Sequence, residues 1–156
     1  MDFDPAKEKA IVDNMTELLS QGQRCLLTVT GSSMLPFLRH ERDAVLLAQP
    51  GPGDLKRNRI VFFRRREGCY ILHRIRRVLP DGTLVMCGDA QAWTERIGRE
   101  QVLGAAVAVR RRDGRIRDLS APVWRLAAAL WYPTRPIRPW LISMAVRLRR
   151  LFRKKR

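Results

Sequence analysis

Hydrophobic spacing divides the chain into three stretches. Over residues 5–21, Ile11, Met15, Leu18 and Leu19 recur at helical intervals; Asp4 can cap the first turn, Pro5 suits its start and Gly22 its stop. From Arg24 to Leu119 the period falls to two, and strands are expected at 24–30, 43–48, 59–65, 70–79, 83–87, 102–112 and 115–118. Turn sequences separate them, and Asp81-Gly82 and Asp113-Gly114 are of hairpin type. Many short strands at close spacing predict a mainly β fold, with antiparallel sheets forming a partly closed barrel or sandwich. Beyond Ala121, apolar runs at 122–132 and 140–152 carry helical spacing and are separated by Pro133, Pro136 and Pro139. The expected organisation is an N-terminal amphipathic helix at 1–22, a β domain at 23–120 and an amphipathic, basic C-terminal segment at 121–156.

Composition narrows the class. With 156 residues, 46% hydrophobic and 29% charged, the chain is long enough and apolar enough to fold as one domain. Its net charge of +16 attracts nucleic acid, anionic lipid or an acidic partner without choosing among them. Much of the excess lies in 135–156, which holds no acid. Strand arginines such as Arg64-Arg65-Arg66, Arg74 and Arg76-Arg77 read as a solvated face, and few aromatics are interleaved, so nucleic-acid binding is disfavoured. Tryptophans at apolar–polar borders beside a basic face suit a segment, 121–156, lying on an anionic membrane surface. The plainer alternative is a helix packed on the sheet, followed by a solvated tail. No run reaches the roughly 18 apolar residues of a spanning helix, and the acidic N-terminus is not a signal peptide. Three cysteines with no CxxC pair argue against a disulfide framework or zinc ribbon. The expectation is a cytoplasmic protein, peripheral at the inner membrane face, with no cofactor and no metal.

The candidate chemistry centres on Ser33 in Gly31-Ser32-Ser33-Met34-Leu35-Pro36, just past the first strand. Gly31 permits tight backbone geometry, and Leu35-Pro36 stiffens the turn that presents the hydroxyl. A serine needs a base to become nucleophilic, and the chain has two histidines. His40 lies in a charged turn and is expected to be exposed. His73 shares a strand face with Ile71 and Ile75, opposite Arg74 and Arg76. Burial there would keep its imidazole neutral, as a general base requires. A core histidine bonded to backbone is the bland alternative.

The hexapeptide 31–36 resembles the Gly-x-Ser-Met-x-Pro nucleophile box of type I signal peptidases and their mitochondrial inner-membrane relatives, a superfamily that includes the self-cleaving SOS repressors. Ile71-Leu72-His73-Arg74-Ile75 is similar to the general-base box of the histidine branch. Gly88-Asp89-Ala90 resembles the Gly-Asp-Asn box, and Val102-Leu103-Gly104 the closing Val-x-Gly strand. The resemblance covers residues 24 to 110. It implies a serine endopeptidase acting on a protein or peptide with an extended leader, in which Ser33 attacks and His73 takes the proton. It further implies that Asp89, or alternatively Glu95, orients the imidazole, and that the Ser33 N–H is one oxyanion donor. Gly31, Ser32, Met34 and Leu35 would shape the cleft, with Ser32 or Thr30 replacing a second oxyanion donor. Asn58 stands where the family has glycine and tolerates left-handed backbone. The alternatives are an inactive peptide-binding relative and a basic nucleic-acid-binding protein.

Overall fold

The computed structural model describes residues 4–137 together with 140, 143 and 144. Helix α1 (Pro5–Ser20) starts where expected, with the Asp4 carboxylate accepting the Ala6 N–H at 3.0 Å. Its buried stripe is Val12, Met15 and Leu19, whereas Ile11 is 60% exposed. The helix is therefore turned about one residue from the expected face.

Among the described residues eight antiparallel strands follow: β1 (Cys25–Thr28), β2 (Ala44–Ala48), β3 (Ile60–Arg64), β4 (Tyr70–Val78), β5 (Leu84–Cys87), β6 (Glu95–Ile97), β7 (Val102–Arg110) and β8 (Ile116–Asp118). They form one sheet in the order β1-β2-β7-β3-β4-β5-β6. The long strand β7 is its spine. One side of β7 pairs with β2, and the other with β3 and then β8. The sheet ends on β1 and β6, which pair with no further strand among the described residues. The expected barrel closure is thus absent and the sheet is open. The seven expected strands are present, and β6 is an addition.

Strand alternation sorts side chains into two cores. One is built from Val12, Met15 and Leu19 of α1 against Val45, Leu47, Ile60, Phe62 and Val109, with Met34 and Leu38 folded in from the loop after β1. The other holds Val61, Phe63, Ile75, Leu84, Met86 and Ile97. Residues 60 and 62 face the first core and 61 and 63 the second, as a period of two requires.

The C-terminal segment begins with helix α2 (Pro122–Trp131) and a 3-10 turn at Tyr132–Ile137. The second apolar run, 140–152, lies outside the described residues except for Trp140, Ser143 and Met144. Among the described residues no helix is long and apolar enough to cross a membrane.

Candidate active site

The loop from Gly31 to Leu38 is held at both ends. Gly31 adopts φ +76°, a left-handed conformation that suits glycine, and its N–H donates to His40 Nδ1 at 3.1 Å. His40 is largely exposed, as expected, yet it braces the loop that carries Ser33. Further along, Met34 and Leu38 are buried, and Phe37 lies between the rings of Trp124 and Trp131 with the Arg74 guanidinium over its face. The Leu35–Pro36 bond is cis.

Ser33 itself is docked on the turn after β5. Its carbonyl accepts the Ala90 N–H at 2.8 Å. A Cβ on Gly88 would come within 2.6 Å of the same carbonyl oxygen, so close approach of the two segments requires glycine there. Cys87 pairs with Arg74 across β4 and β5, so Gly88 lies level with His73. Ser33 is thereby brought to the same level of the sheet as His73. The two side chains make no hydrogen bond to each other in this structure. The Ser33 N–H donates to no group among the described residues.

Beside Ser33 runs a groove of about 800 Å³, lined in part by Gly31, Ser32, Met34 and Leu35 and reaching Tyr70, Ile71 and Leu72. His73 does not line it: Tyr70 and Leu72 pack against the first core, and the His73 ring lies on the other face of β4. Thr30, Ala90, Gln91 and Ser143 also line it. The Tyr70 hydroxyl is buried there with no hydrogen-bond partner among the described residues, its ring stacked on Phe62 at 5.9 Å.

His73 is on the second face of β4, 2% exposed, with its ring against Phe63 and Trp93. Its Nδ1 lies 3.1 Å from Glu95 Oε1. A carboxylate can only accept, so Nδ1 carries the hydrogen and Nε2 of the neutral ring keeps its lone pair. Glu95 is in turn gripped by Arg65, through Nε at 2.6 Å and Nη2 at 2.9 Å. Burial pushes the His73 pKa below its ordinary 6.5; Glu95 opposes this and the Arg65 charge reinforces it. The register explains the choice of acid. Ile75 pairs with Met86 and Met86 with Glu95, so these three share a face with His73.

Asp89, the first expectation for the orienting acid, is elsewhere. Its carboxylate, 0% exposed, accepts from Arg74 Nε and Nη2 and from Arg76 Nη2 at 2.7–3.2 Å. Arg74 also donates to the Asn58 carbonyl, and Asn58 has the left-handed φ of 73° that its position calls for. This corrects two expectations together. Asp89 serves a buried ion cluster rather than the imidazole, and Arg74 and Arg76 are 3% and 7% exposed rather than solvated. The two guanidinium groups share this single carboxylate, and Arg74 places a further N–H on the Asn58 carbonyl. On the other side of this turn, the Asp89 carbonyl accepts the Trp131 indole N–H at 2.6 Å, which ties α2 to the site.

Arg65 and Trp93 were not among the expected site residues. In sequence Arg65 belongs to the run Arg64-Arg65-Arg66, which has the look of a solvated face, and Trp93 lies in a stretch with no period to place it. No known family, curated protein or solved structure matches this chain.

Proposed function

We propose that the chain is a serine endopeptidase of signal-peptidase type, with Ser33 as nucleophile, His73 as general base and Glu95 as the orienting acid. The observation that carries this reading is the buried imidazole against Glu95: burial favours the neutral ring, and a Nδ1–H given to Glu95 leaves Nε2 with its lone pair, at the level of the sheet where Ser33 is docked. In this scheme Nε2 accepts the Ser33 Oγ proton as Oγ attacks the scissile carbonyl, then returns it to the leaving amine. Water then hydrolyses the acyl-enzyme with the same base. The unbonded Ser33 N–H is an oxyanion donor. The contact between Oγ and Nε2 closes when substrate fills the groove, as active-site hydrogen bonds commonly tighten in the complex. The substrate is the extended leader of a peptide or protein, lying in the groove beside residues 31–35. The three free cysteines suit a reducing, cytoplasmic setting.

Ser33→Ala and His73→Ala should each abolish cleavage of a leader-peptide library while circular dichroism shows the fold retained; cleavage by both variants would sink the scheme. One observation favours a second reading, an inactive peptide-binding relative: Ser33 and His73 are not hydrogen-bonded here. A serine-directed acylating probe separates the two, since labelling at Ser33 requires an activated hydroxyl.

A further inference from the structure

We infer that the outer face of α2 is a docking surface for an anionic lipid bilayer. The inner face of this helix is occupied: Ala128 is buried, Trp124 and Trp131 pack on Phe37, and Trp131 is bonded to the Asp89 carbonyl. The outer face is apolar and uncovered. Val123, Leu126 and Leu130, spaced three and four apart, are 66%, 61% and 67% exposed. Apolar exposure continues beyond the helix at Ile137 and Trp140. Burying these side chains in the acyl boundary removes apolar surface from water without requiring a spanning helix.

Charge names the occupant. A hollow of about 360 Å³ opens beside Val123 and Trp124 and is lined by Arg111, Arg115 and Arg117, with Asp113 as the one acid among the described residues that line it. Arg111 is committed to Asp43 and the Phe37 carbonyl, but Arg115 is 73% exposed and only loosely paired with Asp113 at 3.6 Å. Arg117 is exposed and makes no ion pair among the described residues. Cationic groups flanking an apolar ridge match lipid phosphates flanking acyl chains. The chain after α2 adds nine Lys and Arg and no acid between 135 and 156. A protein partner of the same apolar face would be served by the ridge alone. A nucleic acid would be served by the charges, with the ridge left in water.

The test reads binding alone and uses the full-length Ser33→Ala protein, so its outcome is independent of the peptidase reading. Co-sedimentation is expected with vesicles of phosphatidylcholine and phosphatidylglycerol at 7:3, and not with pure phosphatidylcholine. Val123→Ser/Leu126→Ser/Leu130→Ser should weaken binding at least tenfold. Arg115→Ala/Arg117→Ala should weaken it about 25-fold, since each cation near the surface contributes about a fivefold factor. Equal binding to both vesicle types, or undiminished binding by the triple serine variant, overturns the inference. So does a dimer in sedimentation velocity that the triple variant dissolves without any vesicle binding. Duplex DNA that displaces the protein from vesicles, with the triple variant binding DNA and vesicles as the parent does, assigns the surface to nucleic acid instead.

Discussion

At His73 two influences on the imidazole oppose each other, and burial wins over the Glu95 carboxylate. The folded-state pKa therefore lies below the unfolded 6.5, and the stability linked to keeping the ring neutral is present above pH 6.5 and lost as pH falls through the folded value. Thermal melts should fall between pH 7 and 5 in the parent and fall less in His73→Asn. The acid limb of kcat/KM should likewise lie below pH 6.5. Arg65→Met should raise that limb, because the guanidinium disfavours the imidazolium; a limb that moves down would contradict the assignment of Glu95 and Arg65. At Tyr70 the hydroxyl is buried without a partner among the described residues while the ring stacks on Phe62. Removing the hydroxyl as Tyr70→Phe should stabilise the fold by about 1 kcal/mol in urea unfolding. A loss would indicate that an ordered water bridges the oxygen.

At the scale of elements, β4 does two jobs on its two faces. His73 faces the Glu95 side, and Arg74 and Arg76 face Asp89. The two acids should therefore respond differently to truncation. Asp89→Ala leaves two buried guanidinium groups sharing no anion and should cost about 3–5 kcal/mol in denaturant unfolding. Glu95→Gln should cost much less stability but reduce kcat more than KM rises, since the ring loses the anion that stabilises its charged form. Equal stability losses would argue against this division. Alternation along β4 was legible in Ile71, His73 and Ile75, whose spacing assigns a shared face without knowledge of any neighbour. The choice between Asp89 and Glu95 was not legible, because it depends on the register of β4 with β5 and of β5 with β6. Strand β6 is only Glu95–Ile97, too short to display a period. The burial of Arg74 was hidden for a related reason, since its partner is 15 positions away and is delivered by a turn.

For the whole molecule, the +16 charge is distributed in a way that bears on partners. Arg74 and Arg76 are removed from the surface, so they cannot serve a nucleic-acid groove. Salt-dependent DNA binding, measured with and without residues 135–156, should be largely lost on deletion; persistence would point to the folded part. Strand number and spacing, which suggest partial closure, describe local pairing alone. Closure depends on whether the two outermost strands meet, and β1 and β6 do not. The turn at Gly88–Gln91 carries the widest consequence. Ser33 rests on it through the Ala90 N–H, Arg74 and Arg76 anchor it from β4, and Trp131 reaches it from α2, 42 residues further along the chain. A saturation scan scored for turnover should therefore find sensitive positions scattered from the thirties to the 130s. Plotted on the sequence they would look like unrelated defects, but in space they converge on a single fixed point from which Ser33 takes its bearing.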